Sequence, residues 1–322
     1  MALGRREFLL GSACAVLASK GLSAVEIPSS VIDTHIHLFD PTRFGGIPWP
    51  KPEDGVLYQP ALPARYQGLS QTFGVVGAIA VECSPVATDN DWLLRVAEQN
   101  PIMVGVIGNL DPALDSFPAD LDRLAKNPLF TGIRYGNLWG RDLGARLKEP
   151  KFVEHLKFLA AKGLLLESAN PNPILISDLR RLTELVPNIR VVIDHLPQAP
   201  PPAGLKERGA YLNDLRELAK QPKVWVKGTE ILRRIAGEVP QKLDFYSPWL
   251  DEIWKLFGDG QVLFGSDWPN SDSLASFSDT CAIAREYISG RSRKAQEQYF
   301  WRNSIAAYGW KPRTPAQEKL HG

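Results

Sequence analysis

The chain has 322 residues, with 37 Lys and Arg against 36 Asp and Glu, a net charge of +1, 44% hydrophobic and 23% charged residues. This near-neutral balance removes the electrostatic case for nucleic acid, whose phosphates call for clustered cations, and matches an ordinary globular chain. No apolar stretch reaches the roughly eighteen residues of a membrane span. The expected partner is a small-molecule substrate, and the oligomeric state stays open.

The first stretch, MALGRREFLLGSACAVLASKGLSA, pairs Arg5 with Arg6, runs apolar from Phe8 to Ala18 and ends in small residues. It resembles a bacterial twin-arginine export signal, with cleavage expected after Ala24 and a periplasmic or otherwise exported product. Cys14 is not expected to carry a lipid, because Gly11 stands where such sites usually have leucine. The remainder, 25–322, is expected to form a single domain. Its two cysteines, Cys83 and Cys281, are far apart and read as free thiols.

Further along, prolines punctuate a recurring unit. AEQNPIMVGVIGNL, LAKNPLFTGIRYGN, ELVPNIRVVIDHLP and LAKQPKVWVKGTEI each run from a helical tail through a proline stop into a short apolar stretch that ends in polar residues. Stretches apolar on both faces are what parallel strands under helices require. With 31–38, 75–83, 163–167 and 261–267 they make eight candidate strands. Between them, DWLLRVAEQN, FVEHLKFLAAKG, ISDLRRLTELV, LNDLRELAK and PWLDEIWKLFG carry the 3.6-residue period of amphipathic helices. Eight β–α units predict an α/β fold of the (β/α)8 barrel type. A doubly wound open sheet is disfavoured, since no glycine-rich nucleotide loop follows the first strand. The segment from Pro41 to Arg65 reads as a long loop over the barrel mouth.

In such a barrel, chemistry collects where strands end. The first candidate strand ends in His35 and His37, two positions apart and therefore on one face. The sixth ends in Asp194 and His195, the eighth in Asp267; the second, fourth, fifth and seventh end near Glu82, Arg134, Glu167 and Lys227. Each alone has an ordinary explanation: a packed imidazole, a turn or helix cap, a neutralising charge pair. Their convergence on one rim has none. His155, mid-helix in FVEHLKFL, and His321, in a polar tail, fall outside this set.

DTHIHLFDP, VVIDHLP, VLFGSDWP and NSIAAYG together resemble the amidohydrolase superfamily in its amidohydrolase-related branch. The similarity spans about residues 30 to 310 and is greatest to the lactonase group (L-fuconolactonase-like, L-rhamnonolactonase-like and 2-pyrone-4,6-dicarboxylate lactonases). It implies the same barrel, of the metal-dependent-hydrolase type, and a hydrolase acting on a carboxylic ester. By position, His35, His37, His195 and Asp267 take the catalytic places. The resemblance also implies a metal set of His35, His37 and Asp267, completed by Glu82 or His195, for one divalent ion such as zinc or manganese. Metal-free members leave the alternative of no cofactor open. Two departures argue against a binuclear site: strand 5 carries Glu167 and no histidine, and Arg134 stands where a bridging lysine or glutamate is found.

The chemistry expected is water attack on a lactone, with Asp267 handling the proton and the histidines stabilising the oxyanion. Arg134, Lys227 and Trp268 are the expected substrate contacts, with Trp49, Trp139 and Tyr135 as further stacking surfaces. Two other functions remain: a metal-dependent decarboxylase of an aromatic carboxylate, and a non-catalytic periplasmic sugar-acid binder.

Overall fold

Each apolar run between a helix and a polar turn becomes a strand. The computed structural model describes residues 30–322, so the stretch 1–24 that resembles an export signal, with Cys14, lies outside the described residues. The strands are β1 (Val31–Ile36), β2 (Val75–Val81), β3 (Met103–Gly108), β4 (Phe130–Arg134), β5 (Leu165–Ser168), β6 (Arg190–Ile193), β7 (Val224–Lys227) and β8 (Val262–Leu263). They pair in parallel in chain order, and helices fill the crossovers. This is a (β/α)8 barrel. No helix among the described residues is long and apolar enough to cross a membrane.

The helices are α1 (Pro63–Ser70), α2 (Asp89–Gln99), α3 (Phe117–Leu124), α4 (Leu143–Arg146), α5 (Pro150–Ala161), α6 (Pro173–Leu185), α7 (Leu205–Ala219), α8 (Ser247–Phe257) and α9 (Phe277–Ser289), of which α2, α5, α6, α7 and α8 carry the predicted periodicity. The prolines act at both ends. Pro101, Pro128, Pro187 and Pro222 follow α2, α3, α6 and α7, whereas Pro63, Pro150 and Pro173 open α1, α5 and α6, where a missing N–H costs nothing. Asn172 caps α6 by accepting from Leu175 N at 2.9 Å. His155 lies buried in α5, bonded to Pro112 O and stacked on Phe117, and His321 sits against Trp310. Neither joins the site.

The seam between β8 and β1 departs from the expectation. β8 holds two residues rather than the run 261–267, because other groups take its backbone bonds. Asn303 Nδ2 donates to Val262 O, and Phe264 N donates to Tyr299 O. The barrel closes instead through Thr34 N and Oγ1 on Phe264 O, a parallel bridge between Ile36 and Trp268, and Asp267 N on His35 O at 2.9 Å. Asp33 reinforces the seam: its carboxylate accepts from Ser266 N and from the Tyr66 hydroxyl at 2.7 Å. Asp267 and the His35–His37 pair are thus set by the same short bonds.

Candidate active site

The polar ends of β1, β4, β6, β7 and β8 meet at the C-terminal mouth. A cavity of about 240 Å³ opens there, lined by His37, Trp49, Cys83, Arg134, Leu138, Trp139, Asn170, His195, Glu230 and Asn270. His35 and Asp267 lie immediately beneath it, fully buried.

Three atoms form a nearly equilateral triangle in this floor. His35 Nε2 is 3.3 Å from His37 Nε2 and 3.4 Å from Asp267 Oδ1, and His37 Nε2 is 3.3 Å from the same oxygen. Asp267 Oδ2 accepts from Asn270 Nδ2 at 2.7 Å, whereas Oδ1 is buried without a hydrogen-bond partner. Burial alone raises the pKa of Asp267, but the neighbouring His195, His37 and His35 outweigh it and hold the carboxyl well below its ordinary range. His35 and His195 are lowered too, which for a base favours the neutral form: burial pushes His35 well down, helped by Lys227, and pushes His195 down to about 4. An ionised Asp267 carboxylate therefore sits beside neutral His35 and His195.

The surroundings orient each group. His37 Nδ1 donates to Val81 O at 2.9 Å, because a carbonyl can only accept. His195 Nδ1 bonds Thr229 Oγ1 at 2.7 Å, with Glu230 Oε1 3.8 Å away. Arg134 donates to Glu82 O and pairs with Asp194 Oδ2 at 3.4 Å; Asp194 and Glu82 keep it charged despite its burial. Gly265 is required here, since a Cβ would come within 2.8 Å of His35 Cβ and 2.5 Å of Thr229 Cγ2.

The triangle also fits a divalent cation in size. Ligand bonds of about 2.0–2.1 Å around a tetrahedral zinc put neighbouring donors about 3.3–3.4 Å apart, and the unpartnered Asp267 Oδ1 is the oxygen such an ion would use. His195 lies in the same cluster as His35 and Asp267, its ligand atom within 4.8 Å of theirs. Glu82 does not complete the set. Its carboxylate turns away to accept from Trp139 Nε1 at 3.1 Å and from Ser84 N.

Two of the expected substrate contacts are corrected. Lys227 is fully buried below the triangle, with Nζ 2.8 Å from Glu167 and 3.1 Å from Asp194. β7 ends one layer beneath the rim, and the chain reaches the mouth only at Thr229 and Glu230. Trp268 points out of the barrel, packed on Tyr66 of α1 under the Arg65 guanidinium. Tyr135 is likewise buried, against Phe152, whereas Trp49 and Trp139 do line the cavity. Cys83 and Cys281 are free thiols.

Sequence reasoning missed Glu230, Asn170 and Asn270. Glu230 and Asn270 each stand three residues beyond the polar residue chosen, Lys227 in KVWVKGTEI and Asp267 in VLFGSDWP. The available signal was the depth of the mouth. Turns that follow the strands supply its lining, not the strand ends alone.

A (β/α)8 barrel with paired histidines after β1, a histidine after β6 and an aspartate after β8 is the frame of an amidohydrolase. The chain belongs to the amidohydrolase family: the family's sequence model matches residues 32–310. It is a hydrolase of that family. It is similar to an L-fucono-1,5-lactonase of Burkholderia ambifaria, 29% identical over 253 residues, covering 77% of this chain and 83% of that one. A second L-fucono-1,5-lactonase, from Burkholderia multivorans, is 23% identical over 295 residues, with 85% and 94% covered. A solved amidohydrolase of Burkholderia multivorans with bound zinc shares the fold at a TM-score of 0.74 and 21% identity, over 87% of this chain and 99% of that one.

Proposed function

We propose that the chain is a lactonase that opens a sugar-type or related lactone by adding water across the ring ester. The observation that carries this reading is Asp267 Oδ1: a buried, unpartnered carboxylate oxygen held 3.3–3.4 Å from two imidazole nitrogens. A base must accept a proton, and no hydrogen bond occupies this oxygen.

In this mechanism Asp267 takes a proton from the attacking water as the new C–O bond forms. His35, His37, His195 and Arg134 stabilise the charge that develops on the carbonyl oxygen. When the tetrahedral intermediate collapses, the ring C–O bond breaks and Asp267 returns the proton to the leaving alkoxide. His35, His37 and Asp267, with His195 beside them, would hold one zinc or manganese ion, and the zinc seen in a related barrel supports that set. When bound, such an ion supplies Lewis-acid polarisation of the carbonyl and of water.

The cavity favours a hydroxylated ring. Its lining offers Glu230, Asn270 and Asn170 to hydroxyl groups and the indoles of Trp49 and Trp139 to ring faces. Arg134 is the one Lys or Arg among the lining residues, which suits a sugar lactone better than a dicarboxylated pyrone. The similarity to two L-fucono-1,5-lactonases points the same way.

The test is acid release, followed with a pH indicator, from sugar-type and aromatic lactones before and after chelator stripping. Turnover of sugar-type lactones is expected. Carbon dioxide from an aromatic carboxylate with no lactone turnover would establish the decarboxylase instead. Activity lost on stripping and restored by zinc or manganese assigns the triangle to a metal. The proposal also includes export through residues 1–24 and a single mature domain, 25–322. An intact Met1 on protein recovered from the periplasm would refute the cleavage.

A further inference from the structure

Behind the triangle lies a second cluster of ligand-like atoms, on His35, Glu167 and Asp194, close enough together to hold a cation. It is already filled. Lys227 Nζ stands 3.0 Å from His35 Nδ1, 2.8 Å from Glu167 Oε1 and 3.1 Å from Asp194 Oδ1, and both Lys227 and His35 are fully buried. Tyr308, from the NSIAAYG motif, closes the cluster by donating to Glu167 Oε1 at 2.6 Å.

The consequence follows from which groups can only give and which can only accept. An ammonium has protons and no lone pair, so His35 Nδ1 accepts from Lys227. A neutral imidazole carries one N–H, so the His35 proton is on Nε2. At the far end a carbonyl has lone pairs and no proton, so His37 Nδ1 donates to Val81 O, and because the 3.3 Å Nε2–Nε2 contact has room for one proton, the one on His35, His37 Nε2 is bare. The 3.3 Å contact between the two Nε2 atoms is then a hydrogen bond from His35 to His37. Lys227, His35, His37 and Val81 O form one chain of bonds with a single allowed direction.

We propose that Lys227 is a positioning residue that fixes the tautomer of His35, placing an N–H among the acceptors of the triangle. Without that proton, two imidazole lone pairs and a carboxylate oxygen face one another at 3.3–3.4 Å, an arrangement that demands an outside cation. With it, the chain's own lysine satisfies the floor from behind. A metal bound to His35 Nε2 takes the place of that proton.

The test is a long-range ¹⁵N–¹H spectrum of the metal-stripped protein labelled at histidine, with the His35 signals assigned by their loss in His35→Gln. Opposite tautomers are expected, His35 protonated at Nε2 and His37 at Nδ1. The same tautomer at both rings would break the chain of bonds and overturn the proposal. Lys227→Met, combined with Glu167→Gln so that no carboxylate is stranded, should release His35 toward the Nδ1–H form facing Asp194. Lys227→Arg should preserve the wild-type pattern. An unchanged His35 pattern in a folded Met variant would equally overturn the role of Lys227. If the Met variant does not fold, the wild-type pair of spectra and the Arg variant still decide. In turnover, the Met variant should lose about 10–100-fold in kcat with little change in KM. That last readout rests on the lactone reading: an inactive wild type would defeat that reading and leave the tautomer result intact.

Discussion

The strands and the turns that follow them differ in kind. The strand interiors are apolar and almost wholly buried. By contrast, each of the turns after β4 to β8 holds a non-glycine side chain in the left-handed region: Trp139, Asn170, His195, Glu230 and Asp267, with φ between 52° and 59°. Among the described residues Ala236 is the only other non-glycine at positive φ. That conformation costs an L residue about 1–2 kcal/mol, and of the five Trp139 and Glu230 are of types that rarely adopt it. Four of the five line the cavity and the fifth is Asp267. The β1 side works differently, delivering His35 and His37 from a regular strand. The barrel supplies stability and its mouth consumes some of it to aim side chains.

The predictions test how sharply these two regions divide. Arg134→Met should cost about 10²–10³-fold in kcat/KM on the preferred lactone, the scale of losing one oxyanion donor. A smaller loss would move Arg134 out of the mouth's chemistry. The pH dependence is next. His195 is pushed down to about 4 in the folded state against an ordinary 6.5. As pH falls from 6.5 toward 4 the unfolded chain takes up a proton that folded His195 refuses, so stability drops, on the order of 3 kcal/mol for this group alone. The urea midpoint of the wild type should therefore fall more between pH 7 and 4 than that of His195→Gln. Equal falls would place the acid sensitivity elsewhere.

Gly265→Ala puts a methyl against His35 and Thr229 and should destabilise by about 1–3 kcal/mol, with turnover lost even where the protein stays folded. Glu230→Gly reverses the sign. Relief of the left-handed turn, less the entropy that glycine adds to the unfolded chain, leaves a gain of about 0.5–1 kcal/mol, seen as a slightly higher Tm together with weaker substrate binding. A lower Tm would mean that the Asn270 bond to Glu230, at 3.1 Å, outweighs the strain.

The barrel was legible because proline stops and doubly apolar runs are local signals, repeated along the chain. His35, His37, His195, Arg134 and Asp267 were legible because strand ends mark the mouth. Lys227 and Trp268 were misplaced for a reason of depth and direction: a strand-end residue can face the layer below, and its neighbour in a turn can face outward. Glu230, Asn170 and Asn270 depended on turn geometry that no local pattern announces. Of the buried lysine cluster, a neutralising charge pair at Glu167 and Lys227 was legible; its links to His35, Asp194 and Tyr308 were not, since they join elements far apart in the chain.

In the proposed mechanism Asp267 moves the proton in lactone opening. The direct measurement sets wild type beside Asp267→Asn on the same sugar-type 1,5-lactone, following acid release and, by calorimetry, binding of the ring-opened acid. Turnover is expected to fall by about 10³-fold or more, with binding within a few-fold of wild type. Turnover that survives the substitution would contradict that mechanism, whatever the effect on binding.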